Sequence, residues 1–214
     1  MKTLIINAHP RFNNKDSFAN QMQAMFLKKY NDEFPNDTPD ILNLYDIELP
    51  RIEMAQLLNV WDKQSSGETM TAEEQRLAQI NAALLSQFKS HHRIVIISPL
   101  HNFNVTSRLK DYIDNILIVR QTFKYTSDGS VGLMTDNYKA LYIQAIGSIY
   151  TNEDRYQPLD FAPQYLKAMF KEMIAFDDYY IVRAQGTAKL SKEAVLQQAQ
   201  HDLEEVFEVF YSAI

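Results

Sequence analysis

Three stretches of the chain concentrate the residue types that could do chemistry. The most distinctive is Pro99-Leu100-His101-Asn102-Phe103-Asn104, which follows an unbroken apolar run, Ile94-Val95-Ile96-Ile97. That run is short, rich in β-branched residues and without alternation, so it reads as a strand buried on both faces. Ser98-Pro99 is expected to end its ladder, because proline has no N–H to donate. Beyond the loop the period turns helical, with Val105, Leu109, Tyr112, Ile113, Ile116 and Leu117 along one side. In an open parallel sheet, ligands bind in the crevice past the carboxyl ends of the strands. A loop placed there, with a proline, an asparagine and an aromatic, suits a flat ring.

The second stretch, Asn7–Ser17, follows another short apolar run, Thr3-Leu4-Ile5-Ile6, and precedes a helix expected from about Ser17 to Phe34. The N–H groups and dipole of a helix start attract an anion. His9, Lys15 and Ser17 add donors. An ordinary cap with surface charge accounts for the same residues, and Asp16 opposes an anion if its carboxylate faces inward. The third stretch, Ala145–Tyr150, contains Gly147 and Ser148 and follows a strand over Lys139–Ala145. If all these strands run the same way, the loops meet at one rim.

The elements that must position them can be read in order. Asp40–Leu44 and Asp178–Val182 complete a set of five strands. Helices are expected over Thr71–Phe88, where Thr71 and Glu74 have capping-box spacing, over Phe161–Ala175, and over Ser191–Tyr211. Residues 47–70 form an irregular excursion with a helical turn or two and the single tryptophan, Trp61. Asp128-Gly129 marks a turn, with Phe123 and Tyr125 alternating before it like the apolar face of a hairpin. Strand and helix alternate throughout, which implies one α/β domain over residues 1–214, with a doubly wound parallel sheet between two helical layers.

Composition narrows the classes of function. Of 214 residues, 46% are hydrophobic, enough for a large core, and the net charge of −6 argues against a nucleic-acid partner. The absence of cysteine excludes disulfides and thiol chemistry and fits a reducing cytoplasm. The apolar start, MKTLIINAHP, is too short for a signal peptide, and no run is long enough to insert in a membrane. With five glycines, a phosphate loop built on repeated glycine is not available. No catalytic triad or metal cluster is legible. His91-His92 is expected as a solvated helix C-terminus, His201 as surface, and Asp111 and Asp114 as solvated charge beside Lys110. Tyr179-Tyr180 is expected as packing.

Several of these segments together resemble a known family. Pro99–Asn104, Arg108-Leu109-Lys110-Asp111-Tyr112 and Thr122-Phe123-Lys124-Tyr125, followed by Gly132-Leu133 and the strand at Ala140, are similar to FMN-dependent NADH-azoreductases. The opening His9-Pro10 with Ser17-Phe18 resembles the wider NAD(P)H:quinone reductase family. The likeness spans nearly the whole chain and is densest over Ile94–Gly147.

The resemblance implies a flavodoxin-like fold, a non-covalent FMN, NADH or NADPH as hydride donor, and ping-pong reduction of a quinone or azo compound. It also implies a homodimer with its sites at the subunit interface. By that likeness His9, Ser17, Phe18 and Ala19 surround the phosphate. Pro99, Leu100, His101, Asn102 and Phe103 line the isoalloxazine, and Gly147 and Ser148 lie along its pyrimidine end. Phe123 and Tyr125 line a substrate pocket shared across the dimer. The sequence departs from the family twice: Ala145-Ile146-Gly147-Ser148 stands for the usual Ser-Arg-Gly-Gly, and His101 for the usual tyrosine. Two alternatives remain open from sequence. One is a flavodoxin-type electron carrier; the other is a flavin- or nucleotide-binding regulator of a membrane transporter.

Overall fold

Two central strands anchor the structure, because their sequences offer no polar face to water. The computed structural model describes residues 2–152 and 154–212. In chain order its elements are β1 (Thr3–Asn7), α1 (Phe18–Glu33), β2 (Asp40–Asn43), α2 (Asn59–Ser66), α3 (Ala72–Lys89), β3 (Arg93–Pro99), α4 (Ser107–Ile116), β4 (Phe123–Thr126), β5 (Gly129–Gly132), β6 (Lys139–Ile146), α5 (Phe161–Lys167), β7 (Asp178–Gln185) and α6 (Lys192–Tyr211). Five strands form a parallel sheet in the order β2-β1-β3-β6-β7. Every residue of β1 is buried, as is all of β3 before Pro99. The expected three-layer flavodoxin-like sheet is what forms.

Alternation along the strands feeds two cores. Leu4, Ile6, Ile94, Ile96, Ala140 and Tyr142 pack beneath α3, α4 and α5. Ile5, Val95, Ile97, Leu141 and Ile143 pack beneath α1 and α6. Each fully buried aliphatic side chain contributes about 1.5–3 kcal/mol, so the sheet's position is strongly determined. The expected caps form: Ser17 and Ser191 each accept an N–H three residues on, and Thr71 and Glu74 complete a reciprocal capping box.

β3 ends at Pro99, as expected; the proline is its last paired residue, opposite Ala145 of β6, and the Leu100 N–H donates to the Ala145 carbonyl at 2.9 Å. The N–H that Pro99 lacks would face the Ala8 carbonyl, which takes the Thr106 hydroxyl at 3.2 Å instead. Three other expectations are corrected. The helix after the loop begins at Ser107, two residues later than the apolar period suggests. His91 is not solvated. It is 3% exposed, with Nδ1 2.6 Å from the Gln87 carbonyl and Nε2 3.0 Å from an Asp40 carboxylate oxygen. The ring thus bridges the last turn of α3 and the start of β2. His92 is partly exposed and stacks on Tyr138, while His201 is at the surface. Asp111 and Asp114 are less solvated than expected, since they face Arg51 and Lys110.

Two further features frame the rim. The excursion is a wide helical turn at Met54–Leu58 that kinks at Gln56 into α2. Its Trp61 ring N–H points to the Asn81 side-chain carbonyl at 3.4 Å. The β4–β5 hairpin closes at Ser127-Asp128, as its turn signal suggests. Gly132 at its end is required by close approach, because a Cβ there would lie 2.4 Å from the Ile174 carbonyl carbon.

Candidate functional site

Parallel strands deliver the three loops to one rim, and backbone hydrogen bonds stitch them together. The Ala8 N–H donates to the Ile97 carbonyl at 2.8 Å, and the Thr106 hydroxyl donates to the Ala8 carbonyl at 3.2 Å. Leu100 N–H ties the central loop to the end of β6, as above. Phe161 N–H donates to the Phe103 carbonyl at 3.1 Å, joining α5 to the central loop. Past β7, Gly186 and Ala188 donate to the Ser148 and Gly147 carbonyls at 3.0 and 3.1 Å. The rim is therefore one connected surface.

The first loop is ordered by amide side chains. Asn7 is 1% exposed; its Oδ1 accepts the His9 N–H at 2.8 Å, and its Nδ2 donates to Asn20 and Gln23. Asn20 in turn donates to the Arg11 and Asn14 carbonyls. His9 Nδ1 accepts the Arg11 N–H at 2.9 Å, which leaves the ring proton on Nε2. Burial, aided by the Arg11 charge, holds the His9 pKa below the ordinary imidazole value. His9 is thus a neutral donor. Ser17 caps α1, accepting from Asn20 N–H at 3.3 Å and donating to the Asn14 carbonyl at 3.1 Å. The N–H groups of Phe18 and Ala19 head the helix with no partner inside it, and no acidic side chain lies in that first turn. Lys15 and Asp16 are exposed. An anion at this end would meet donors without opposing charge from the helix itself.

The central loop is a two-residue reverse turn. His101 and Asn104 exchange both backbone hydrogen bonds at 3.0 Å, with Asn102 and Phe103 at φ 47° and 66° between them. Two successive left-handed residues are the pattern of a type I′ turn. Asparagine tolerates that conformation; a bulky phenylalanine does not do so readily. Strain of this kind gathers at ligand clamps. The loop lies open: His101, Asn102 and Phe103 are all exposed. At the third loop, nothing in the chain demands glycine at 147, since an added Cβ would meet only Ala188 at an ordinary 3.7 Å. Phe123 and Tyr125 meet edge-to-face at 5.5 Å, but Phe123 is packed inward, so Tyr125 alone offers its ring to solvent.

The largest described cavity, about 670 Å³, shares no residue with these loops and lies between α2, α3 and the segment after α4, lined by Trp61, Asn81, Leu85 and Ile118. The rim is an open crevice instead. It fits a group with an anionic end and a flat body: unpaired helix N–H groups and a neutral histidine at one side, a strained, exposed turn in the middle.

Comparison with known proteins settles the family. A flavodoxin-like fold family model matches residues 1–207. An FMN-dependent NADH:quinone oxidoreductase of Lactiplantibacillus plantarum is 54% identical, over 98% of this chain and 99% of its own length. The chain belongs to this flavodoxin-like family of FMN-dependent NADH:quinone oxidoreductases. A relative of the same description from Streptococcus agalactiae is 53% identical over 99% of both chains. The structure of an FMN-dependent NADH-azoreductase from Bacillus anthracis in complex with FMN is 46% identical, with a TM-score of 0.93 over 99% of both chains.

Within that family frame, one cluster at the rim escaped the sequence. Gln144 of β6, Arg183 of β7 and Asp160 at the start of α5 form a closed polar triangle below the third loop. Gln144 Nε2 donates to Asp160 Oδ1 at 2.9 Å, Arg183 Nη2 to Asp160 Oδ2 at 3.1 Å, and Arg183 Nε to Gln144 Oε1 at 3.3 Å. The hydroxyls of Tyr142 and Tyr179 are buried nearby with no hydrogen-bond partner among the described residues. Burial and the Asp160 charge push the Tyr142 phenol well above its usual range. The available signal was a glutamine between Ile143 and Ala145 and an arginine between Val182 and Ala184, each flanked by apolar residues.

Proposed function

We infer that this chain is an FMN-dependent NAD(P)H oxidoreductase that reduces quinones or azo compounds. The observation that carries the reading is the strained Asn102-Phe103 turn, held open at the rim of a fold that matches an FMN-bound azoreductase over nearly all of both chains. When bound, FMN supplies the two-electron hydride relay between donor and acceptor, and the protein's task is to bind, orient and tune it.

In this reading the N–H groups of Phe18 and Ala19, the His9 Nε2–H and the Ser17 hydroxyl hold the phosphate. Because His9 is neutral and a donor, it assists without needing a charge. Pro99, Leu100, His101, Asn102 and Phe103 line the ring, with the Asn102 side chain as a polar contact. His101 covers a ring face where the family places tyrosine. Gly147 and Ser148 lie along the pyrimidine end. Ile146 replaces the family's arginine with an apolar side chain that is 2% exposed, so any contact that arginine makes must come from elsewhere. Residues 1–214 act as one FMN-binding domain, and two copies pair so that Tyr125 reaches a shared acceptor pocket. No helix among the described residues is long and apolar enough to cross a membrane.

An absorbance spectrum before and after NADH tests this. The purified protein is expected to be yellow, or to become so with added FMN, and to bleach with NADH when no other reductase is present. A protein that stays colourless after FMN is supplied overturns the reading. Colour without bleaching would make it an electron carrier.

A further inference from the structure

Asp160 occupies the position where an aspartate ordinarily caps a helix, yet it caps nothing. No side-chain hydrogen bond reaches the first turn of α5. Its carboxylate, 7% exposed, is turned into the sheet and spends both oxygens on Gln144 and Arg183. Those two residues face each other in register across β6 and β7, so the anchor is built on two strands rather than on a loop. The very next N–H, that of Phe161, donates to the carbonyl of Phe103. Phe103 is a bulky residue ill suited to its own backbone conformation, at φ 66°. The ends of the central loop are fixed by other bonds; the tip is held by this one.

We propose that Asp160, gripped by Arg183 and Gln144, is a positioning residue that holds the Asn102-Phe103 turn in the shape that receives the isoalloxazine. The grip passes from strands to Asp160, from Asp160 to the Phe161 N–H, and from there to the Phe103 carbonyl. Asp160 touches neither cofactor nor substrate. An ion pair with its carboxylate buried is a costly way to secure a helix start, since an uncharged cap would do as well. Its use here is explained by the demand for a fixed N–H opposite a strained carbonyl. The inference rests on the FMN reading above.

The test measures FMN dissociation constants by quenching of flavin fluorescence on apoprotein prepared from the full chain. Wild-type protein that fails to bind FMN condemns the functional reading itself, before any variant is compared. Given wild-type binding, Asp160→Asn is expected to weaken FMN about tenfold, the scale of one lost hydrogen bond to a charged group. Should that variant not fold, Arg183→Gln carries the same expectation. The decisive arm places Asp160→Asn in a Phe103→Gly background. Asn-Gly is the pair this turn prefers, so the turn should then hold itself. The loss relative to Phe103→Gly alone should shrink to less than about twofold, because the coupled positions no longer depend on each other. Asn137→Ala serves as a destabilised control at the opposite end of the sheet, where Asn137 supports Arg93 at 2.6 and 3.1 Å. It is expected to lower the unfolding midpoint and leave FMN affinity unchanged. Wild-type affinity in Asp160→Asn overturns the proposal. So does a loss that stays near tenfold in the Phe103→Gly background, or an equal loss in the Asn137→Ala control.

Discussion

Asn102 combines two demands that few residues meet together. Its backbone is left-handed, at φ 47°, and its side chain projects from an exposed loop at the strand ends. A short amide can bond locally and so visits that region at modest cost, whereas alanine cannot. Asn102→Ala is therefore expected to cost about 1 kcal/mol of stability from the backbone alone and to weaken FMN binding as well. A denaturant titration and an FMN titration separate the two effects. Loss of stability with wild-type FMN affinity would remove the Asn102 side chain from the binding site. The asparagine and its neighbours could be picked out in the sequence because a proline, an amide and an aromatic followed an apolar run. The left-handed pair could not, since Asn-Phe is not a usual signal for such a turn.

Elements were legible where a local pattern decided them and illegible where a distant contact did. The strand cores, the Thr71–Glu74 box and the Ser17 and Ser191 caps each follow from a few adjacent residues. Pro99 ends its strand as its missing N–H suggests, while the replacement donor to the Ala8 carbonyl, the Thr106 hydroxyl, comes from beyond the loop. His91 departs from expectation because its ring reaches Asp40 of β2, far earlier in sequence. The Gln144–Asp160–Arg183 triangle depends on a strand register and so left only isolated polar letters. Two expectations belong to this scale. Gly132→Ala would drive a methyl into the Ile174–Ala175 backbone, and overpacking of that kind costs about 1–3 kcal/mol. A lowered unfolding midpoint, with the hairpin's amides losing exchange protection first, is the expected result; a wild-type midpoint would show that the approach can relax. Glu74 is held at about 2 rather than its usual 4.5, chiefly by its hydrogen bonds from Lys63 and then from the Thr71 N–H. Because the folded value is depressed, its stabilisation is complete above the unfolded value and is lost as pH falls from there toward 2. Glu74→Gln is thus expected to melt below wild type at neutral pH, with the gap closing in acid. A gap independent of pH would assign the effect to packing instead of charge.

At the scale of the whole molecule, the surface is less polar than one chain alone requires. Ile52, Met54 and Leu58 protrude from the excursion, with Met54 79% exposed, and Val119, Tyr125 and Val131 protrude around the hairpin, with Tyr125 70% exposed. Single exposed apolar residues need no explanation, but groups of them are a common feature of contact surfaces. In the function proposed above a second copy covers them, and Tyr125 is the residue proposed to link pairing to activity. Its neighbour Phe123 is anchored in the protein, so the hairpin can present the tyrosine ring without moving. The purified protein is accordingly expected to have the mass of a dimer by light scattering at micromolar concentration. Tyr125→Arg places a charge in the joint, and desolvating an unpaired guanidinium there should shift the mass toward monomer. If the acceptor pocket is shared, quinone turnover should fall with the dimer fraction, while FMN affinity should fall less if the proposed rim residues of one chain carry most of it. Monomeric wild-type protein with full turnover would detach the acceptor site from any partner. A dimeric Tyr125→Arg with normal turnover would place the joint on another face.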